Sequence, residues 1–321
     1  MSYFFTFLLS FLLSLALTFF LRKIGDKYHF FDIAPEDDVL KIHRKPISYL
    51  GGLAMALTML ISLLFVVLTK NYLAKEIIAI VIGALPIFAL GFWDDLRWKN
   101  IPQPKPYRKF ICLIVFPLFS ASVLLSADIK INFFGFLVAD YLLTFLYIFV
   151  LVNSINYEDG IDGLAGGSVL LSLIGFFLLA IFLQNEFAGF FSLILSGAIC
   201  GFLVFNMPPA KIFMGDSGAF FLGYVLSVFT ILFSKQHDML SFIGLVLITG
   251  FPVFEGIFTN LRRIANKKSI FLGDRKHLYD KLYLKKKFSI QKTLLICYSI
   301  QVIFIIIGLI IFFYGNTLIK T

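Results

Sequence analysis

Charge and cysteine are both scarce in this chain, and each scarcity excludes a class of protein. Charged residues make up 15% of the 321 residues and hydrophobic residues 60%, which is too apolar for an ordinary soluble domain. The three cysteines, Cys112, Cys200 and Cys297, stand alone within apolar runs, so neither a disulfide framework nor a thiolate metal site is supported. No basic residue precedes the first apolar run, and Arg22 and Lys23 follow it, which argues against a cleaved signal peptide.

Long apolar runs are what the sequence has in abundance. Most of them reach the ~17–25 residues that an α-helix needs to cross a bilayer. Helices are the economical spanning form, because backbone amides in hydrocarbon have no water to bond. We therefore predict an all-α, polytopic membrane protein with one domain over residues 1–321 and about ten transmembrane helices. The runs are 2–21, 46–69, 77–93, 110–127, 139–156, 163–185, 187–207, 217–234, 239–258 and 293–319.

The basic residues predict how the chain is oriented. If both termini lie outside, all but five of the 28 Lys and Arg fall in one set of loops. Lys and Arg are retained on the cytoplasmic side, so this set is expected to face the cytoplasm from the plasma (inner) membrane. The five exceptions are Lys70, Lys75, Lys130, Lys235 and Lys320. One outer segment, 128–135, alternates polar and apolar residues before a glycine, which predicts a small hairpin.

The first polar cluster is the pair Asp94-Asp95 at the end of the third apolar run. Two adjacent carboxylates repel each other, and in a low-dielectric setting one is protonated unless a cation compensates. One interpretation is a solvated helix end beside Arg97 and Lys99. The other is a pair that acts as a Mg²⁺ ligand or general base.

The second cluster lies between the fifth and sixth runs. Asn153 and Asn156 are three residues apart, as are Asp159 and Asp162, so each pair can share one face of a helix. Carboxylate and amide oxygens suit Mg²⁺, which usually takes one or two carboxylates plus phosphate oxygens. A Ca²⁺ loop or a helix cap is the alternative, although the spacing of an EF-hand is absent.

The third cluster, Phe213-Met-Gly215-Asp216-Ser-Gly218, precedes the eighth run. Asp216 can serve as the N-cap of that helix. Glycines on both sides, with Asn206 upstream, instead favour a nucleotide-binding loop. Phe213 can stack on a base, or it can be an interfacial aromatic anchor.

Two further cytoplasmic segments carry basic residues and histidine. Residues 259–292 are rich in Lys and Arg, which topology and attraction to anionic lipid largely explain. Within that segment, Arg275 and His277 are more specific, because such a pair near a phosphate can neutralise charge in a transition state. Lys41 and His43 lie in the other segment, which leads into the second apolar run.

In this order the motifs resemble the polyprenyl-phosphate N-acetylhexosamine-1-phosphate transferase superfamily, over about residues 26–282. The resemblance rests on four motifs, which are Lys41-x-His43-x-x-Pro46 with Gly51-Gly52, Phe92-Trp-Asp94-Asp95, Asn153-x-x-Asn156-x-x-Asp159-Gly-x-Asp162-Gly-Leu, and Phe213-Met-Gly-Asp216-x-Gly. It implies transfer of a sugar-1-phosphate from a UDP-N-acetylhexosamine to a polyprenyl phosphate, with release of UMP.

The resemblance also implies roles for individual residues. Asp94, Asp95, Asp216 and His277 are expected to be catalytic, with Asp94 orienting or deprotonating the acceptor. Mg²⁺, with Mn²⁺ as the alternative, is expected on Asp216, Asp159 and Asn156. Phe213 is expected to contact uracil, and Lys109 to lie near phosphate. The other expected substrate contacts are Lys41, His43, Asn153, Asn156, Asp159, Asp162, Asn206 and Arg275. Direct attack by the lipid phosphate and a two-step route through an aspartyl phosphate both stay open.

One motif departs from the family's usual pattern. The last cytoplasmic loop of the family usually has clustered histidines, whereas this loop has only His277 in the form Arg275-x-His277-x-Tyr279. That form resembles the branch that begins O-antigen or capsular polysaccharide. The alternatives are a phospho-MurNAc-pentapeptide translocase and an ion-coupled transporter. We expect the protein to lie in a bilayer and to form a homodimer. We do not expect nucleic acid as a partner.

Overall fold

The computed structural model describes residues 2–32, 46–70, 75–97, 106–234, 239–267 and 275–318. Nearly all of the ordered elements in these ranges are helices, as the apolar runs predict. They are α1 (Tyr3–Tyr28), β1 (Phe31–Asp32), β2 (Ile47–Ser48), α2 (Gly51–Lys70), α3 (Lys75–Arg97), α4 (Pro106–Ser126), α5 (Leu137–Glu158), α6 (Leu164–Phe182), α7 (Glu186–Asn206), α8 (Gly215–Phe233), α9 (Met239–Ile248), α10 (Gly250–Ala265), α11 (Leu278–Asp280), a π-helical segment (Lys281–Lys285) and α12 (Ile290–Leu318).

The prediction of an all-α, polytopic membrane protein is confirmed. Nine helices within the described ranges are long and apolar enough to cross a membrane, and the bent pair α9–α10 makes a tenth if it counts as one span. The third run ends later than expected, because α3 continues to Arg97 and carries Asp94 and Asp95 in its last turn.

Helix α8 lies at the centre of the bundle. It is buried along almost its whole length and packs against α2, α3 and α5. Its first residues therefore stand where several helix ends meet.

Small residues bring α1 close to α7. The buried positions of α1 repeat every four residues through Thr6, Ser10, Ser14 and Thr18. Ser10 and Ser14 face Gly197 and Gly201 of α7. A Cβ added at either glycine would lie under 3 Å from α1 backbone and from the Cβ of Ser10 or Ser14. Helices in lipid gain contact through such small side chains, because burying apolar surface offers little advantage there.

The ninth run does not form one straight helix. It bends by 88° between α9 and α10, after Ile248. Pro252 has no N–H to donate to the carbonyl of Ile248, so a regular helix would leave that carbonyl unpaired. The side chain of Gln301 from α12 donates to that carbonyl at 2.8 Å and accepts from the amide of Phe251 at 2.9 Å. Its amide thus satisfies the backbone groups that the bend releases, as the membrane interior requires.

The hairpin predicted for residues 128–135 is not formed. That segment is an irregular loop instead. Oδ1 of Asp140, in the first turn of α5, accepts from the amides of Phe133 and Phe134 at 3.0 and 2.7 Å. The amide of Ile131 donates to Thr144 at 2.8 Å. These side-chain acceptors take the amides that a strand ladder would have used.

Candidate active site

Asp95 joins the end of α3 to the start of α8. Its carboxylate is fully buried, and its Oδ1 and Oδ2 accept from the amides of Asp216 and Ser217 at 2.8 and 3.0 Å. The first amides of a helix have no intrahelical acceptor, and a negative charge there interacts favourably with the helix dipole. The interpretation of Asp216 as the N-cap of α8 is therefore wrong, because the N-cap is Met214 and Asp95 supplies the acceptor.

The backbone conformation at position 215 explains why a glycine precedes Asp216. Its φ is +69°, which strains any residue with a Cβ. A Cβ built there would lie 2.4 Å from Oδ2 of Asp95. The glycine thus allows Asp95 to reach the helix end.

Lys109 is the cation at the centre of the cluster. It lies in the first turn of α4, and its Nζ donates to Oδ2 of Asp94 and, at 2.8 Å, to Oδ2 of Asp216. All three side chains are largely shielded from solvent, with 20% of Lys109, 6% of Asp94 and 20% of Asp216 exposed. One ammonium group therefore contacts two carboxyl groups at once.

Asp94 is not fully satisfied by this contact. Its Oδ1 is buried and has no hydrogen-bond partner among the described residues. A buried carboxylate oxygen without a partner is costly. It calls for a proton, a cation or a substrate group, which is a feature of a binding site rather than of a structural ion pair.

The end of α5 supplies the amide of the cluster. Nδ2 of Asn156 donates to Oδ1 of Asp216 at 3.0 Å. Asn153, one turn earlier, donates to the carbonyl of Phe149 at 2.7 Å. Asp159 is the C-cap residue of α5. Of this motif, Asn156 directly contacts Asp216 through a side-chain hydrogen bond.

Asn206 and Asp162 hold two loops together. Oδ1 of Asn206 accepts from the amide of Gly163 at 3.1 Å, and its Nδ2 donates to the carbonyl of Ile212 at 2.9 Å. Oδ2 of Asp162 accepts from the amide of Ala210 at 2.9 Å. These bonds fix the 160–163 loop against the segment that leads to Asp216. Substrate contact by either residue stays a prediction.

Phe213 is tied to the segment between β2 and α2. Its amide donates to the carbonyl of Ser48 at 2.7 Å, and its carbonyl accepts from the amide of Gly51 at 3.0 Å. The ring is half-buried, and its predicted stacking on uracil stays a prediction. Lys41 and His43 lie outside the described residues.

His277 stands in a second cluster, beside the first. Its Nδ1 lies 3.2 Å from Oε2 of Glu255 and 3.2 Å from Oγ1 of Thr259. Arg275 donates from Nη1 to Oδ1 of Asp280 at 3.1 Å. Burial raises the pKa of Asp280, and Arg275 partly offsets this effect. Arg275 and His277 thus each have their own carboxylate partner, and their role near a phosphate stays a prediction.

The two clusters meet at the C-terminal end of α5. The hydroxyl of Tyr279 donates to the carbonyl of Tyr157 at 2.7 Å, and Tyr157 directly follows Asn156. Burial and the neighbouring Asp280 raise the pKa of Tyr279, so its phenol stays protonated and remains a donor. The 275–280 segment therefore contacts the end of α5 that carries Asn156, the residue that binds Asp216.

Sequence reasoning missed Glu255 and Glu158. Glu255 is the single acid of α10, 1% exposed. Glu158 is fully buried, and its Oε2 accepts from the hydroxyl of Ser168 at 2.5 Å. The signal that could have found Glu255 is an acid within an otherwise apolar run, since ionisable groups in membrane helices usually have a function.

The donor set fits a divalent cation that is shared with a substrate. Among the described residues, no group of three or more His, Cys, Asp and Glu is placed to hold a metal ion. Asp94, Asp216 and Asn156 nevertheless converge, and Mg²⁺ typically takes one or two carboxylates and completes its octahedron with water and phosphate oxygens. The unpartnered oxygen of Asp94 supports this smaller set and adds Asp94 to the predicted ligands. The assignment of Asp159 as a ligand stays a prediction.

Fold and site together define a class of protein. The chain is a polytopic helical membrane protein with a lysine-bridged carboxylate cluster where α3, α4, α5 and α8 meet.

Comparison with known proteins identifies the family. Residues 77–234 match the family described as Glycosyl transferase family 4. The chain is 31% identical over 315 residues to a Bacillus subtilis protein named probable undecaprenyl-phosphate N-acetylglucosaminyl 1-phosphate transferase, an alignment that covers 95% of this chain and 84% of that protein. It is 32% identical over 299 residues to the undecaprenyl-phosphate α-N-acetylglucosaminyl 1-phosphate transferase of Thermotoga maritima, covering 93% and 87%.

Relatives of a second kind also match. A phospho-N-acetylmuramoyl-pentapeptide-transferase of Dictyoglomus thermophilum is 29% identical over 307 residues, covering 92% of this chain and 89% of that protein. The chain therefore belongs to glycosyl transferase family 4, the superfamily of polyprenyl-phosphate N-acetylhexosamine-1-phosphate transferases, as its motifs predicted.

Proposed function

We propose that this protein transfers an N-acetylhexosamine-1-phosphate from a UDP-sugar to a polyprenyl phosphate and releases UMP. The observation that carries the proposal is the bridge from Lys109 to Asp94 and Asp216, beside the unpartnered oxygen of Asp94. The names of the relatives support the same reaction. The product begins a lipid-linked glycan of the cell envelope, of the O-antigen or capsule type.

The electrostatics of the site suit two anionic substrates. Bringing a diphosphate against a lipid phosphate costs repulsion, and Lys109 supplies one fixed positive charge against it. Asp94 and Asp216 would hold Mg²⁺, which would supply further positive charge for the phosphates of the two substrates. Arg275 supplies a further guanidinium from the second cluster. Asn156 keeps Asp216 in place, and Asp95 holds the end of α8 that carries Asp216.

The bond changes follow from the substrates. An oxygen of the lipid phosphate attacks the sugar-linked phosphorus, and the bond from that phosphorus to the bridging oxygen breaks. UMP leaves with the bridging oxygen and its electron pair. A phosphate oxygen is already largely ionised near neutral pH, so positioning and charge stabilisation carry more of the catalysis than proton removal. Asp94 orients the acceptor, and direct transfer is the proposed route.

The proposed location is the plasma membrane, with the site facing the cytoplasm. The excess of Lys and Arg in the loops around the site supports this orientation. A polyprenyl chain stays in the bilayer, so its phosphate meets the enzyme at the membrane surface, where the carboxylate cluster at the helix ends is expected to lie.

A phospho-MurNAc-pentapeptide transferase is the second candidate, because relatives with that name match most of the chain. The single His277 in place of a histidine cluster favours the first candidate. A carrier is not supported, since its ionisable residues would lie near the bilayer midplane. Here Asp94 and Asp95 lie in the last turn of α3 and Asp216 in the first turn of α8.

The test is to incubate the purified protein with polyprenyl phosphate, Mg²⁺ and a panel of UDP-sugars that includes UDP-MurNAc-pentapeptide. We expect UMP release with a UDP-N-acetylhexosamine and a lipid product heavier by that sugar phosphate. Chelation of Mg²⁺ should stop the reaction, and added Mg²⁺ should restore it. No UMP from any UDP-sugar would contradict the proposal, and product only from the pentapeptide substrate would select the second candidate.

An Asp216→Asn variant tests the central carboxylate. It should lose at least about 100-fold in turnover, the scale for removing one charge-stabilising group, while keeping its thermal unfolding midpoint. Asp128→Asn is the matched control, because Asp128 is 76% exposed in the loop before α5. Full activity of Asp216→Asn would exclude the proposed metal role.

A further inference from the structure

Glu255 uses both of its carboxylate oxygens to hold the segment that contains His277. Oε2 lies 3.2 Å from Nδ1 of His277, and Oε1 accepts from the amide of Leu278 at 3.1 Å. Glu255 is 1% exposed and His277 is 5% exposed, so neither side chain is free to take another position. An acid in an apolar membrane helix is costly and calls for a specific partner.

The ring of His277 is fixed from three other directions. The ring of Tyr279 is parallel to it, with the centroids 5.2 Å apart and the planes 4° apart. The ring of Tyr157 lies 5.8 Å away on α5. Oγ1 of Thr259, one turn after Glu255 on α10, is the second group near Nδ1. The contacts of the ring with the side chains of Glu255 and Thr259 both use Nδ1. His277 also forms a capping box with Asp280 at the start of α11.

An ionised carboxylate can only accept a hydrogen bond, so its partner nitrogen must carry the proton. In neutral imidazole the proton on one nitrogen leaves the other nitrogen as an acceptor. A carboxylate beside Nδ1 therefore selects the tautomer whose Nε2 is unprotonated. The same arrangement orients histidines elsewhere in proteins, where a carboxylate behind the ring sets both its direction and its basicity.

We propose that Glu255 is a positioning residue that fixes the tautomer and the orientation of His277, so that Nε2 faces the phosphates of the bound substrates. This inference rests on the proposed function and adds to it a residue on the bent helix α10. The bend between α9 and α10 gives Glu255 its place behind the histidine. Tyr279, through the carbonyl of Tyr157, links the ring to the helix end that holds Asn156 against Asp216.

The first test is Glu255→Gln, which preserves the shape of the side chain. A carboxamide has one acceptor oxygen, so either the amide of Leu278 or the N–H of His277 loses its acceptor. Loss of such a supporting partner typically reduces activity about 10–100-fold, and we expect this loss in kcat with little change in KM for the UDP-sugar. Glu255→Asp, which keeps an acceptor-only carboxylate, should lose less. Glu76→Gln, in the first turn of α3, is the matched control and should keep full activity.

A double-mutant cycle separates positioning from a general structural role. If Glu255 acts through His277, the double variant Glu255→Gln/His277→Ala should be no less active than His277→Ala alone, within about 2-fold. Multiplying effects would overturn the proposal, as would an unimpaired Glu255→Gln enzyme. If wild-type protein releases no UMP at all, the proposed function fails rather than this inference.

A second measurement reads the tautomer in the wild-type protein, and a variant serves only to assign the signal. Nitrogen NMR of the full-length protein in nanodiscs, labelled with ¹⁵N at its four histidines, reports the tautomer of each ring. His277→Gln identifies the signal by its disappearance. We expect the neutral form of His277 to carry its proton on Nδ1. A neutral form with the proton on Nε2 would refute the proposal, whatever the activity of the variants.

Discussion

Replacing Lys109 by methionine tests the charge balance of the site most directly. Methionine keeps the length of the side chain and removes the ammonium group that Asp94 and Asp216 share. The two carboxylates then face each other in a setting where Asp94 is 6% and Asp216 20% exposed. Their repulsion is no longer compensated by any charge on Lys109.

The expected loss of stability follows from the burial of the three groups. Removing one partner of a buried ion pair costs about 3–5 kcal/mol, because a charge is left without compensation. Lys109 and Asp216 keep one fifth of their side-chain surface in contact with solvent, so we expect about 3 kcal/mol, the low end of this range. That corresponds to a fall of several degrees in the unfolding midpoint.

The assay is thermal unfolding of the purified protein in detergent, with Mg²⁺ or with a chelator. A cation that binds the folded protein at 100 times its dissociation constant stabilises it by about 2.7 kcal/mol. Because the variant has more uncompensated negative charge, Mg²⁺ should raise its midpoint more than that of the wild type, without restoring UMP release.

Lys130→Met is the matched control for this experiment. Lys130 pairs with Asp128 at 3.1 Å, but Asp128 is 76% exposed. Exposed pairs contribute about 0–1 kcal/mol, so this variant should unfold at nearly the wild-type temperature with no added response to Mg²⁺. A Lys109→Met protein as stable as the wild type, or one indifferent to Mg²⁺, would refute the reasoning.

Two further substitutions test the framework of the site. Gly215→Ala should abolish most UMP release and lower the unfolding midpoint, because the new Cβ would lie 2.4 Å from Asp95 at a φ of +69°. Its control is Gly135→Ala, at a φ of +66° far from the site. This control should lose about 1–2 kcal/mol of stability through backbone strain and keep its activity. Gln301→Leu should destabilise the protein by roughly 2–5 kcal/mol, since buried backbone groups at the bend lose their partners, while Ser299→Ala on the exposed side of α12 should be neutral. Unchanged unfolding of Gln301→Leu or unchanged activity of Gly215→Ala would contradict these assignments.

The charge of the site explains why the lysine and the metal are not alternatives. Asp94 and Asp216 share a single ammonium group. A divalent cation held by the same carboxyl groups would add the positive charge that a diphosphate requires. Lys109 thus lowers the repulsion between the acids before the substrates and Mg²⁺ arrive.

Much of the membrane architecture was available from sequence. Hydropathy located the helices, because each span must satisfy its own backbone hydrogen bonds in hydrocarbon and is therefore visible as a continuous apolar segment. The motif residues also indicated the family, which the relatives confirm. Hydropathy did not reveal the bend after Ile248, for which Pro252 is a local signal. The partner of the freed carbonyl, Gln301 of α12, is far away in sequence and could not be predicted from it.

Hydropathy and motif spacing were enough to identify the spans, the clusters of polar residues at their ends and the family. The packing of the helices settled which members of those clusters meet. It paired Lys109 with Asp216, 107 residues away, assigned Asp95 to the start of α8, and brought Glu255 behind His277. The physical reason is that hydropathy and spacing are properties of a short segment. The partner of a buried charge, in contrast, is chosen by the packing of whole helices, which brings distant ends together at fixed positions.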